Sequence, residues 1–423
     1  MSAPALTEHF FRHEYGRLVA TLTRRVGLTH LEAAEDAVQR ALLTALEVRK
    51  TGSTPDNPSA WLFRVAHNAL LDDLRKQSRR RRILDQHGLE LVEDIVPDGD
   101  VPLAGDMQDD LLRMLFICCD RSIPDESQLV FALKTLCGFD THEIAMRLFA
   151  TEANVLKRLS RARNQLRELT SLPEVLSDAQ YSERLPAVHR ILYVLFTEGH
   201  LSTRDDSAIR RELCDEAIRL ATVLVAHPLG QTPETYALLA LMYLHRARLS
   251  ARRDASGGLL LLIEQDRNGW DQSDIATGLS WLAQSAQGAK FSRYHAEAGI
   301  AAEHCLATSF SATRWDRVVA CYELLERTAP SALHRLNRAI ATAEWQGADA
   351  GLRVLSGFEP PGWLSGSYLW SAVLSDLYRR SGDRTSAQLH RDTALALAPS
   401  SAIRRALQKR LGLETLSRPV FDQ

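Results

Sequence analysis

Almost every stretch between glycine or proline breaks in this chain repeats its apolar residues at three- and four-residue spacing, and segments with strict alternation are nearly absent. A 3.6-residue period gathers apolar side chains on one stripe only in a helix, because a strand would send alternate residues to opposite faces. The expected class is therefore all-α. With 423 residues, the chain exceeds what one hydrophobic core usually serves, so several helical domains are expected.

Shifts in composition place the boundaries. A helical block ending in a run of arginine fills residues 1–84, and an acidic tract containing proline and glycine follows over 85–108. A second small helical block covers 109–171, a connector 172–185, and a long helical remainder 186–423. The acidic tract carries Asp85, Glu90, Glu93, Asp94, Asp98, Asp100 and Asp106 with almost no positive charge. It reads as a flexible solubilising linker, or as a segment able to occupy a basic channel otherwise meant for nucleic acid.

The two small blocks carry the chemistry. Formal net charge is only -2, from 51 Lys+Arg against 53 Asp+Glu, so nucleic-acid binding has to come from local patches. In "NPSAWLFRVAHNALLDDLRKQSRRRR" (57–82), Leu62, Ala66, Ala69, Leu70 and Leu74 form a buried stripe. Arg64, Asn68, Asp72, Arg75 and Arg79 line another face. Asn68 and Asp72 can read base edges, whereas Arg75, Lys76 and Arg79 to Arg82 suit phosphates. Trp61 opens the helix as a packing residue or a stacking platform, and the preceding loop offers Asn57 and Ser59 to an extruded base. A solvated amphipathic helix with a basic tail is the plainer alternative.

The second block has the order of a helix-turn-helix: "DESQLVFALKTLCGF" as support, "DTHEIAMRLF" as a short first helix capped by Asp140 or Thr141, and "ATEANVLKRLSRARNQLRE" as recognition helix. Val155, Leu159, Ala162 and Leu166 face inward, leaving Thr151, Glu152, Asn154, Lys157, Arg158, Arg161 and Arg163 outside. The early polar residues would meet base edges and the later arginines phosphates.

In this order the parts resemble the extracytoplasmic-function class of bacterial sigma factors. "AEDAVQRALLTAL" (34–46) is similar to the class's polymerase-binding helix, "NPSAWLFRVAHNALLDDLRK" to its −10 element loop and helix, and residues 126–167 to its −35 element helix-turn-helix. The resemblance implies that Asp36, Gln39 and the residue at Arg40 dock core RNA polymerase, although the class commonly carries an acidic residue at the last of these. It also implies that Asn57, Ser59, Trp61, Asn68, Asp72, Arg75 and Lys76 contact the melted −10 element. Thr151, Glu152, Asn154, Lys157, Arg158 and Arg161 would contact the −35 duplex. Opening would then be driven by binding: a captured base offsets the few kcal/mol of unstacking, and no GxxxxGK[ST] phosphate loop points to nucleotide hydrolysis.

The C-terminal half reads as a helical-hairpin solenoid. Leu374, Tyr378, Gly382, Ala387, Ala394 and Pro399 stand at spacings that match a tetratricopeptide repeat, and Gly347 repeats Gly382 at an interval of 35 residues. Ser371, Ser375 and Arg391 depart from that pattern. This half is similar to the extension of a sigma-factor subgroup, which implies control of activity in cis; from the residues alone it is a protein-binding or self-docking surface. Glu198, His200, His245, Arg246, Arg248, Arg252, Asp266, Arg267, Trp270 and Asp271 are unusually polar for leucine-rich segments. They form a buried ion-pair network or line a ligand groove.

Other classes find little support. No HExxH, CxxC or GxSxG pattern occurs, so neither an enzyme, a metal site nor a cofactor is expected. The amino terminus lacks a signal-peptide core, the six cysteines lie in apolar helical stretches, and no apolar run approaches membrane-spanning length. The expectation is a cytoplasmic protein. The rival functional reading is a helix-turn-helix regulator with a repeat-type sensor or scaffold, which would need neither the 34–48 docking helix nor a linker between two DNA modules.

Overall fold

The computed structural model describes residues 3–50, 57–84, 104–148, 150–168, 177–202, 209–254, 260–288, 290–398 and 401–411. Among these, all regular elements are helices, as the spacing requires. They divide into two compact units, Met1–Met242 and Tyr243–Gln423.

The first unit holds α1 (Ala3–Val26), α2 (Leu31–Lys50), α3 (Pro58–Leu84), α4 (Ala104–Cys118), α5 (Asp125–Thr135), α6 (Thr141–Arg147), α7 (Glu152–Glu168), α8 (Asp178–His200), α9 (Arg211–Ala226) and most of α10 (Pro233–Arg246). Leu18, Leu22, Leu62, Leu70, Phe116, Phe131, Phe139 and Phe196 are all fully buried in it. Helix α1 runs directly against the turn that ends α5. A Cβ at Gly16 would sit 2.0 Å from the Leu136 carbonyl oxygen, so only glycine permits that approach.

The helices cross the expected boundaries in two places. The acidic tract ends early, because α4 is already helical at Ala104; residues 85–103, with their carboxylates, lie outside the described residues. Likewise α8 begins inside the expected connector and runs through Pro186. Its start is fixed by Ser177, which accepts from Gln180 N–H while the Gln180 side chain accepts from Ser177 N–H at 2.9 Å, a reciprocal cap. Pro186 and Ser182 are both exposed, so water can serve the Ser182 carbonyl that a proline ring leaves without its helical donor.

Helix α8 is tied to the end of α4, to the turn that follows it and to α5. Arg184 donates to the Phe116 carbonyl at 3.1 Å and pairs with Asp120, Tyr181 meets Phe116 edge-on at 4.7 Å, and Arg190 reaches Asp125 at 3.0 Å. The C-terminal remainder therefore starts within the first compact unit.

The second unit continues with α11 (Gln272–Ser285), α12 (Arg293–Leu306), α13 (Trp315–Thr328), α14 (Ala332–Gln346), α15 (Ala348–Leu355), α16 (Gly362–Ser365), α17 (Tyr368–Ser381), α18 (Arg384–Ala396) and α19 (Ser401–Leu411). Gly347 and Gly382, at φ 90° and 91°, make the tight turns that fold α14 onto α15 and α17 onto α18, conformations that cost a residue with a Cβ. Leu336, Ala339, Leu355, Leu364, Leu374 and Leu377 form the core between these hairpins. The serines that depart from the repeat pattern are buried: Ser375 donates to the Ala387 carbonyl at 2.9 Å, and Ser371 is 2% exposed. A hydroxyl replaces bulk here because α17 and α18 lie close.

Candidate nucleic-acid interface

Helix α3 presents the two faces that its spacing requires. Leu62, Phe63, Ala66, Leu70 and Leu71 are buried, while Arg64, Asn68, Asp72, Arg75, Lys76 and Arg79 are exposed. Ala69, Leu74, Ser59 and Trp61 are half-buried. Asn57, also exposed, accepts the Ala60 N–H on its Oδ1 at 3.1 Å, so it caps α3, and Pro58 supplies a fixed φ at the first helical position. Asp72 and Arg75 lie 3.7 Å apart with both side chains more than half exposed. A solvated pair of this kind contributes little and exchanges readily for a nucleic-acid contact. The side chains of Arg80, Arg81 and Arg82 lie outside the described residues.

On α2, Asp36 and Gln39 are exposed, and Gln39 also hydrogen-bonds the Tyr15 hydroxyl. Arg40 pairs with Asp73 of α3, and that hydrogen bond holds the Asp73 carboxyl below the usual carboxylate range. The basic residue in the acidic position thus links α2 to α3. Leu43 and Leu46 remain exposed along the same helix, at 60% and 38%.

The helix-turn-helix forms from α5, α6 and α7. Asp140 is the α6 cap: its Oδ1 accepts from Glu143 N–H at 2.7 Å while Glu143 Oε2 accepts from Asp140 N–H at 2.8 Å. Thr151 Oγ1 accepts from Asn154 N–H at 3.3 Å to open α7. Val155, Leu159, Ala162 and Leu166 are buried, and Thr151, Glu152, Asn154, Lys157 and Arg161 are exposed. Arg158 is different, since it pairs with Glu126 of α5 and only 17% of its side chain is exposed. Phe149 lies outside the described residues.

Local spacing did not reveal what joins these modules. Arg163, expected on the outer face, pairs with the buried Glu35 of α2 at 2.5 Å, and Arg167 reaches Glu32 at 2.6 Å. Thr135 donates a buried hydrogen bond to Glu35 at 2.8 Å. Burial raises the Glu35 pKa, and Arg163 and Thr135 pull it back. A second network joins α6 to α8 and α9. Arg210, 4% exposed, donates to Glu143 at 2.7 Å and approaches Glu198 at 3.9 Å; Arg147 lies 3.7 Å from Glu198, and Ser202 donates to it at 2.9 Å. Glu212, about a third exposed, lies 3.5 Å from Arg210 Nε, so the two guanidiniums meet two buried carboxylates and a third at the solvent edge.

Among the described residues, no helix is long and apolar enough to cross a membrane. The family described as sigma-70 region 2 matches residues 11–80, and a family of unknown function, DUF6596, matches residues 184–286. An uncharacterized protein, R00370, of Rhizobium meliloti (strain 1021) is 32% identical over 380 residues, which is 88% of each chain. The ECF RNA polymerase sigma factor SigM of Mycobacterium tuberculosis is 29% identical over 168 residues, 38% of this chain and 76% of that protein, in the Erdman and H37Rv strains alike. No solved structure matches.

Proposed function

On the premise that this chain belongs to the family of the Rhizobium meliloti protein and is a sigma-70 family sigma factor, we propose that it binds core RNA polymerase and directs promoter recognition and melting. The observation that carries this reading is the exposed polar face of α3, where Asn68, Asp72, Arg75 and Lys76 stand opposite the buried Leu62, Phe63, Ala66, Leu70 and Leu71. The module that bears it also presents Asp36 and Gln39 on α2 for the polymerase.

In the proposed division of labour α7 lies on the paired −35 element. Thr151, Glu152 and Asn154 meet base edges, and Lys157, Arg158 and Arg161 the backbone. Arg158 must exchange its partner Glu126 for DNA, which makes its contact weaker than that of a free guanidinium. Asn68, Asp72, Arg75 and Lys76, with Asn57, Ser59 and Trp61 at the head of α3, take the melted −10 strand. Binding of unpaired bases there offsets the few kcal/mol lost in unstacking. The polymerisation chemistry belongs to the polymerase, and the protein works in the cytoplasm without a cofactor of its own.

The extension modulates this activity in cis. Its first helices, α8 and α9, grip the helix-turn-helix through Arg190 and Arg210 and the turn before it through Arg184, and in this reading its later hairpins form a tetratricopeptide-like solenoid. Run-off transcription with purified core polymerase tests the reading. Asn68→Ala is expected to cut open-complex formation at least tenfold while duplex binding stays within twofold. Duplex binding by the native chain without any polymerase-dependent transcript would instead favour a helix-turn-helix regulator.

A further inference from the structure

The polar residues set among the leucines of 189–271 do not share one role. Glu198 belongs to the ion-pair network described above. Arg246 forks onto Asp274, with Nε to Oδ2 at 2.8 Å and Nη2 to Oδ1 at 2.5 Å. Asp266 and Asp271 cap turns, accepting from Asn268 N–H at 3.0 Å and from Ser273 N–H at 2.9 Å.

Arg248 and Arg267 form no ion pair with any described residue. Arg248 is 8% exposed; its Nη2 reaches only the neutral Gln265 Oε1, at 3.5 Å, and its Nε meets no acceptor. Arg267 donates through Nη1 to the backbone carbonyls of His304 and of Ala307, the latter at 2.8 Å, while its buried Nη2 meets no acceptor. The two guanidinium carbons lie 5.0 and 4.7 Å from the Trp270 ring centroid. The Trp270 Nε1–H and His304 Nδ1 are likewise buried without a hydrogen-bond partner. Burial holds Arg248 below the ordinary arginine value, and Arg252 and Arg267 add repulsion. Burial, with repulsion from Arg248 and Arg267, brings His304 down to about 3, so it is neutral at pH 7. The neighbouring Cys305 supplies no counter-charge: burial pushes its thiol up, and it donates to the Leu244 carbonyl at 3.6 Å.

Two positive groups, an indole N–H and an imidazole are thus gathered without a negative charge. Buried guanidinium without a counter-ion is costly, and unsatisfied buried donors point to an absent ion or ligand. Guanidinium prefers planar or tetrahedral oxyanions, which it binds through paired N–H donors. We propose that this cluster binds an oxyanion, the phosphate or carboxylate group of a small ligand, on Arg248, Arg267 and the Trp270 indole N–H. The inference stands independently of the transcription reading. It places a chemical input in the segment joining α10 to α11 and in the end of α12.

The test is isothermal titration of the full chain, at constant ionic strength in sodium chloride, with inorganic phosphate in one arm and citrate in the other. Arg267→Gln and Arg248→Met are compared in parallel, and folding is checked by circular dichroism. Saturable binding of either anion, weakened at least tenfold in Arg267→Gln, is the expected result; binding of phosphate alone identifies a phosphoryl ligand, and binding of citrate alone a carboxylate ligand. The wild-type melting temperature should rise with the bound anion and that of the variants should not. No saturable heat with either anion, or equal affinity in Arg267→Gln, overturns the proposal. Because Arg267 is partly exposed, that variant decides the question even if Arg248→Met fails to fold.

Discussion

In the first unit Arg147 and Arg210 meet the buried carboxylates of Glu143 and Glu198, with Glu212 at the solvent edge, whereas in the second Arg248 and Arg267 flank Trp270 with no ion-pair partner among the described residues. The first cluster is largely buried and the second partly so, yet only the first sets carboxylates against its guanidiniums. In the first, Arg210 comes from the start of α9, Arg147 and Glu143 from α6 and Glu198 from α8, so charge neutralisation is the device that fixes three helices together. In the second, the same kind of side chain is held by an indole, a neutral amide and backbone carbonyls, which orient a cation without neutralising it. Completion in the first comes from within the fold; completion in the second must come from outside it.

The largest expected effect breaks the ion-paired cluster. Arg210→Met leaves Glu143 and Glu198, 3% and 0% exposed, without their shared cation, and losing one partner of a buried pair typically costs about 3 to 5 kcal/mol. Hydrogen exchange of the α6 and α8 amides should speed up by about two to four powers of ten, while α17 and α18 keep their rates. An unchanged exchange rate in α6 would mean that this network contributes no net stability.

How much of this was legible from the sequence follows from range. The buried stripe Val155, Leu159, Ala162, Leu166 and the cap at Asp140 are local patterns, set within one or two turns, and both appear as spacing alone requires. Gly347 and Gly382 were marked only by their 35-residue interval, and the positive φ of both turns supplies the reason for glycine there. The link from Glu35 to Arg163 spans 128 residues, and nothing in either segment marks the other as its partner. The boundary expected at residue 186 falls inside a helix instead: Pro186 lies on a solvent face of α8, where its missing donor is tolerated. A boundary drawn there cuts α8 between Arg184 and Arg190, and a truncation near residue 175, which removes Arg184, Arg190 and Arg210 together, would test folding as much as regulation.

The next effect concerns protons. His189, 3% exposed and hydrogen-bonded to Thr235 at 2.8 Å, has its pKa brought by burial down to about 4, against about 6.5 in an unfolded chain. The unfolded state therefore binds the proton more readily between these values. Stability is full above about pH 6.5 and falls as pH drops toward 4, by about 3 kcal/mol at most. Urea unfolding followed by α8 hydrogen exchange at pH 7 and pH 4.5 should show this loss, and His189→Gln should remove most of it. The second unit should respond differently. His304 is depressed partly by Arg248 and Arg267, so a bound anion that offsets their charge raises its pKa and reduces its acid sensitivity, while phosphate leaves the His189 profile unchanged. An identical effect of phosphate on both would erase the distinction between the clusters.

The smallest effect converts one cluster into the other. Gln265, 8% exposed, accepts from Arg248 through Oε1 and donates to the Leu260 carbonyl through Nε2 at 3.2 Å. Gln265→Glu gives up that donation but places a carboxylate on Arg248, and charge-assisted hydrogen bonds contribute about 1.5 to 3 kcal/mol against roughly 1 for a neutral one. The net gain expected in chloride is about 1 kcal/mol, read as a higher urea midpoint for the second unit. More decisive is its effect on binding: with a fixed negative charge in place, phosphate or citrate should no longer raise the melting temperature. If Gln265→Glu is destabilised and still answers to the anion, Arg248 does not lack a counter-charge, and the two clusters differ in composition without differing in kind.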